Sequence, residues 1–229
     1  MTRSILFRLL LLFSLAPTSL ALAAGGSHIV DDAEVEVPGL CHLETWTTFF
    51  TSNDTYFNSA PACTTKKIPW LEIGAAFQNY WGPTLNAPLF GPQFKVNFQS
   101  VERSEFGLGL GLNAATNLRT GDFATGSTLA LFTYNVTEKA RLNLNAGWSY
   151  IVTAEVPNAF FYGGQFELDV GADIQLMVEV FGRQPGFPGL QMGLRYTPNK
   201  GPVDVDLLVA NYFDRDTTRF FTVGFTLRF

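Results

Sequence analysis

The chain ends in strict alternation. Over residues 219–229, Phe221, Val223, Phe225, Leu227 and Phe229 fall on one face of an extended strand, and Thr222, Gly224, Thr226 and Arg228 fall on the other. The same period of two recurs upstream. Phe94, Val96 and Phe98 alternate with Lys95 and Asn97; Phe106, Leu108, Leu110 and Leu112 alternate with Gly107, Gly109 and Gly111; Leu142, Leu144, Ala146 and Trp148 alternate with Arg141, Asn143, Asn145 and Gly147. Ile174, Leu176 and Val178 are set against Gln175, Met177 and Glu179, and residues 203–209 set apolar side chains against Asp204 and Asp206. A half-buried soluble sheet gives this period too, but no amphipathic helix follows to cover the apolar faces.

An apolar face that runs to the last residue resembles the terminal signal strand of Gram-negative outer-membrane barrels. That resemblance implies that Phe221, Phe225, Leu227 and Phe229 are read by the barrel-assembly machinery. The other end agrees with export. Arg3 and Arg8 precede the apolar run 9–15, and Ala21-Leu22-Ala23 offers a small-x-small cleavage site, so residues 1–23 read as a signal peptide and Ala24 as the mature start. Pro17, Thr18 and Ser19 break the run before it reaches the roughly 20 apolar residues a spanning helix needs.

Cleavage removes two arginines and no acid, so the formal charge falls from −5 to −7, which argues against a nucleic-acid partner. With 47% hydrophobic and only 15% charged residues, the chain is too apolar for disorder and unusually low in charge for a soluble domain.

Strands are expected near 41–50, 55–63, 69–80, 92–99, 105–115, 127–135, 140–151, 160–170, 173–182, 189–197, 203–211 and 220–229. The fold class is therefore all-β, a transmembrane antiparallel up-and-down barrel of 12 strands with lipid as its solvent, or of 10 if the weakly alternating first hairpin lies outside the wall. The domain reading is signal peptide 1–23, an acidic periplasmic segment 24–40 and the barrel 41–229. Connections 64–68, 100–104, 136–139, 171–172 and 198–202 are short and fall on one side; 81–91, 116–126 and 212–219 are longer and fall on the other. Aromatic residues at strand ends (Tyr80 and Trp81, Trp148 and Tyr150, Phe160 to Tyr162, Tyr212 and Phe213) suit headgroup girdles. The competing architecture is a secreted β-sandwich with these aromatics in its core.

Cys41 and Cys63 fall opposite one another across the first hairpin, and an exported chain meets oxidising conditions, so a cross-strand disulfide is expected. The stretch 31–46, with Asp-Asp-Ala-Glu-Val-Glu followed by Cys-x-Leu-Glu-Thr-Trp, resembles the start of a family of uncharacterised proteobacterial outer-membrane proteins, which implies location but no activity.

Twelve strands about 4.8 Å apart and tilted by about 40° give a backbone radius of roughly 12 Å, and side chains reduce the lumen to about 12 to 14 Å across. Parity turns Glu44, Glu72, Glu105, Glu167, Asp169, Asp173, Glu179, Asp204 and Asp206 inward, against Lys95, Arg141, Arg195 and Arg228. This acid excess predicts hydration and weak cation preference if a path exists; a solid polar core of ion pairs is the alternative. Inward Gly74, Ala76, Gly107, Gly109, Gly111, Gly147, Gly193 and Gly224 leave room, either for a path or for strand curvature. Asp31, Asp32, Glu34 and Glu36 form a charge run before the first strand that reads as a solvated tail, a gate at the periplasmic mouth or a cation site.

Outer-membrane hydrolases generally use a histidine base near the outer rim or on the lipid-facing wall. His28 precedes the barrel and His42 falls at the predicted periplasmic end, so no catalytic residue, metal site or cofactor is assigned. The function expected from the sequence is a narrow passive channel or porin-like route for a small solute in the outer membrane. The alternatives are a filled barrel acting through its external loops and, behind it, a hydrolase.

Overall fold

The structure, a computed structural model, describes residues 27–82, 86–213 and 218–229; the predicted signal peptide and cleavage site lie outside these. Twelve strands alternate in direction: β1 Cys41–Phe50, β2 Thr55–Thr65, β3 Ile68–Trp81, β4 Ala87–Gln99, β5 Phe106–Asn117, β6 Phe123–Thr137, β7 Ala140–Ile151, β8 Asn158–Gly171, β9 Ile174–Gln184, β10 Gly189–Tyr196, β11 Val203–Tyr212 and β12 Arg219–Arg228. Each pairs with its sequence neighbours, and β1 pairs with β12 from His42↔Arg228 to Phe50↔Phe220, which closes the ring and leaves no free edge. A single 3₁₀ turn, Pro198–Lys200, is the only helical element among the described residues.

The first hairpin belongs to the wall. Its pattern is hard to read because threonines share the outward face with Leu43 and Phe49, while His42, Glu44, Trp46 and Thr48 point inward. Cys41 stands opposite Cys63 in the β1–β2 register, and the two form the expected disulfide.

Alternation sorts each strand into a lipid face and a lumen face. Phe77, Phe94, Leu144, Phe166, Val178, Leu207 and Phe225 are exposed on the outside, whereas their neighbours in sequence turn to the interior. Phe221, Leu227 and Phe229 lie on the same outer face. So large an exposed apolar band excludes a soluble sandwich and fits a hydrocarbon environment. Two aromatic girdles bound it. At the rim carrying Cys41 and Phe229, here the near rim, Trp70, Phe98, Phe106, Tyr134 and Tyr196 face outward; at the far rim Trp81, Trp148, Phe160 and Phe213 do so. Alternation splits the predicted aromatic pairs, however. Tyr80, Phe161 and Tyr212, each next to a girdle residue, point into the barrel mouth instead, whereas Tyr150 shares the face of Trp148 and stacks with it at 6.3 Å.

The far-rim connections are shorter than the sequence reading gave. β3 runs to Trp81 and β4 starts at Ala87, pairing Tyr80↔Ala87, so most of the expected loop 81–91 is strand. β5 and β6 likewise extend to Asn117 and Phe123, reducing that connection to 118–122. Pro88, inside the expected loop, does not stop the ladder, which also continues past Pro92: Phe90↔Thr116 resumes at Gln93↔Asn113, and at the skipped pair a Cβ on Gly91 would overlap the Ala114 carbonyl.

Candidate functional site

The lumen is occupied by the chain's own N-terminal segment. Instead of forming a solvated tail, residues 27–40 enter at the near rim, rise into the barrel, and turn at Ile29 and Val30. Val30, Asp32 and Ala33 have no solvent exposure and Glu36 has 1%. Inward polar side chains of the wall satisfy the backbone of this segment, which has no sheet partner of its own. Glu179 Oε2 accepts both the Ile29 and the Val30 N–H at 2.9 Å. Asn145 accepts the Asp31 N–H at 2.8 Å and donates to the Asp31 carbonyl at 2.7 Å. Thr133 Oγ1 takes the Ala33 N–H, Asn97 donates to the Ala33 carbonyl, and Glu72 Oε2 takes the Glu36 N–H at 2.7 Å.

Charge holds the segment as well. Lys95 Nζ lies 2.8 Å from Asp31 and 3.6 Å from Asp32; Arg141 Nη1 lies 3.4 Å from Asp32; Arg228 Nε lies 3.3 Å from Glu36. His28 Nδ1 meets Glu179 Oε1 at 2.7 Å, with Asp206 at 3.6 Å from its other nitrogen, and Ser27 Oγ donates to Asp206 at 3.4 Å. At the near rim the Glu34 carboxylate accepts from Ser100 Oγ and the Val101 N–H, both at 2.8 Å, and burial pushes its pKa up from the ordinary carboxylate value. Below the apex the wall pairs its own charges: Arg141 with Glu167 at 2.7 Å, Arg195 with Asp206 at 2.8 Å, and Arg228 with Asp204 at 2.8 Å.

Glycines shape the channel for this segment. A Cβ on Gly163 would stand 2.6 Å from Val30 Cγ2, one on Gly107 2.9 Å from Glu34 Oε1, one on Gly109 3.1 Å from the Ala33 carbonyl, and one on Gly224 2.8 Å from Ser27 Oγ. Three of these four are inward glycines that the sequence offered as open space; the space is filled by main chain. Gly74, Gly147 and Gly193 abut neighbouring strand backbone instead.

Most predicted lumen residues therefore face inward, but not open water. Glu72, Glu167, Glu179, Asp204, Asp206 and Arg195 are buried, and Lys95 and Arg141 sit beside them. Three acids are placed elsewhere. Glu105 is exposed in the turn before β5, because that strand begins one residue later, at Phe106. Asp173 is in the β8–β9 turn with φ 62°, where its carboxylate accepts the Asn199 N–H at 2.7 Å. Asp169 caps the same turn by accepting the Gly171 N–H at 2.7 Å, next to a shift in the β8–β9 register. Neutral residues that the charge count overlooked, Asn97, Thr133, Asn143, Asn145 and Gln165, carry much of the lumen network. Their inward parity was visible; what they would bind was not.

Two cavities flank the segment. An inner one of about 230 Å3 lies between it and the β1–β6 side of the wall, lined by His42, Glu44, Trp46, Glu72 and Asn113. A wider vestibule of about 880 Å3 opens at the far rim, ringed by Tyr56, Tyr80, Phe161, Phe181 and Tyr212, with Ile29 reaching its floor. Below that floor, Val30 packs with Phe181, Ala210 and Phe220, and Ile29, Phe50, Phe161 and Tyr212 surround them.

A closed barrel threaded by its own leading segment, with a lipid-facing band and two girdles, can be set beside known proteins. The family model described as uncharacterised conserved protein UCP029691 matches residues 11–229. The chain belongs to this family. No curated protein matches it. Among solved structures, the KdgM porin superposes with a TM-score of 0.65 at 9% identity, over 81% of this chain and 98% of that one. The NanC porin gives 0.62 at 6% identity over 81% and 98%, and the Ralstonia pickettii toluene transporter TbuX gives 0.54 at 8% over 85% and 90%. At these identities the likeness is one of fold: this chain has the architecture of Gram-negative outer-membrane barrels.

Proposed function

We propose that the protein is an outer-membrane channel for small solutes, held shut in this state by residues 27–40. The observation that carries the reading is that the wall does not fill its own interior. A barrel built only for stability would close its lumen with side chains from its strands. Here small residues keep a groove clear, and a segment covalently attached to the wall through Cys41 occupies it through hydrogen bonds and ion pairs that water and solute can replace. The near rim is then periplasmic and the vestibule faces outside, as both termini and the short turns favour.

With the segment withdrawn, six wall acids, Glu44, Glu72, Glu167, Glu179, Asp204 and Asp206, face five bases, Lys95, Arg141, Arg195 and Arg228 with Arg183 at the mouth. This excess supports a weak preference for cations among small ions. The outward Phe221, Phe225, Leu227 and Phe229 are available to the assembly machinery. No catalytic step is assigned: His28 and His42 are both engaged inside the lumen, with Glu179 and Glu36, far from the external mouth where a hydrolase would meet its substrate.

The deciding experiment compares conductance of the refolded mature chain with that of a variant lacking residues 27–37, in planar bilayers under a salt gradient. The intact protein should be closed or flicker rarely, and the deletion should conduct in discrete, weakly cation-selective steps. A folded deletion variant that stays silent would overturn the channel and leave a barrel that acts through its rim.

A further inference from the structure

Five lysine or arginine side chains of the strands point inward: Lys95, Arg141, Arg183, Arg195 and Arg228. Four have carboxylate partners within 4 Å. Arg183, near the far end of β9, has none among the described residues. Its Nε donates to Ser149 Oγ at 2.9 Å, and its Nη2 to the carbonyls of Pro157 at 2.8 Å and Val156 at 3.4 Å. These contacts fix the guanidinium and pin the turn 152–157, but they bring no negative charge. The group stands in the wall of the vestibule, amid Tyr56, Tyr80, Phe161, Phe181, Phe187 and Tyr212. Glu155 also borders this space, exposed and without an ion pair to Arg183.

We propose that the vestibule is a binding site for small organic monoanions with a planar apolar body, of the aromatic carboxylate class, in which the carboxylate pairs with Arg183 and the ring lies among the tyrosines and phenylalanines. Three properties carry this. The volume of about 880 Å3 is within the range of roughly 300 to 1,000 Å3 typical of small-molecule sites. Aromatic rings are the largest side chains of the lining, and polar groups that include Gln78, Asn113 and Ser127 converge beside them from the wall. The one cation among the described lining residues, Arg183, has no carboxylate partner among the described residues and is half-buried, where a charge-assisted hydrogen bond is stronger than in water. Ile29 forms part of the floor, so a bound molecule would rest on the apex of the segment that closes the lumen. The site does not depend on whether the lumen conducts.

The test uses the full mature chain in lipid nanodiscs, titrated with benzoate and with its neutral counterpart benzamide, and followed by ligand-observed NMR. Benzoate should bind about tenfold or more tighter than benzamide, the difference a charged hydrogen bond supplies. Arg183→Gln should abolish that preference, Arg183→Lys should keep most of it although it cannot reproduce the pinned fork, and Tyr80→Leu should weaken both ligands alike. Equal affinities in the unaltered protein, or a benzoate preference that survives Arg183→Gln, would overturn the proposal. Conductance is not part of the readout, so a silent barrel that binds benzoate refutes only the channel, and a conducting one that does not bind it refutes only this site.

Discussion

The two halves of the lumen are built on opposite plans. Toward the near rim, nearly every inward charge has a partner of opposite sign, and the partners come as much from residues 31–36 as from the wall. Toward the far rim aromatic rings stand among neutral polar groups, the space is about four times larger, and Arg183 has no carboxylate partner among the described residues. The difference separates two tasks. A paired, hydrogen-bonded network specifies one arrangement of a segment and resists leaving buried groups unsatisfied. An open mouth with aromatic rings and an arginine that meets no carboxylate among the described residues specifies nothing by itself and is suited to a guest.

The comparison can be broken most severely below the apex. Asp206→Ala removes the main partner of a buried Arg195 and one of the two carboxylates facing His28, and should cost about 3 to 5 kcal/mol of stability; urea unfolding followed by gel mobility would measure it. A loss below 1 kcal/mol would mean that water reaches this layer and that the two halves are more alike than they look. Gly163→Val acts on the segment alone. Its side chain would occupy the place of the Val30 methyl group, so the wall should persist while residues 27–40 become open to protease from the near side, with cleavage rising severalfold. At the small end, Glu105→Ala should leave the ion selectivity of the segment-deleted barrel unchanged, because Glu105 is in an exposed turn. A changed reversal potential would return it to the conduction path.

Much of this architecture was legible in the residues. Period-two alternation located the strands from β3 onward, because in a barrel every residue of a strand faces either lipid or lumen and the two solvents demand different side chains; the weakly alternating first hairpin left ten strands as an alternative. The same rule had a blind spot at strand ends. Pro88 and the run 118–122 carry turn chemistry, so the ladder was read as stopping before it did. The alternation of Tyr80 with Trp81 and of Tyr212 with Phe213 was available but was read as a girdle in common, which hid the vestibule. The segment 27–40 was least legible. Asp31, Asp32, Glu34 and Glu36 look like a solvated run because the groups that make burial affordable, Asn97, Thr133, Asn145 and Glu179, come from four separate strands, and only the closed ring brings them together. The inward glycines at 107, 109 and 224 were the nearest thing to a signal, as a groove with no evident occupant.

One consequence follows from where the segment is anchored. Residues 27–40 run directly into β1, whose first residue is fixed to β2 by the Cys41–Cys63 disulfide and to β12 by the Cys41↔Phe229 backbone bonds. The released segment therefore stays tethered at the mouth it must re-enter, at an effective concentration in the millimolar range for a short flexible tether. Contacts too weak to hold a free peptide would suffice to return it. Opening is then a matter of competing with a tethered neighbour, and closing needs no partner arriving from solution.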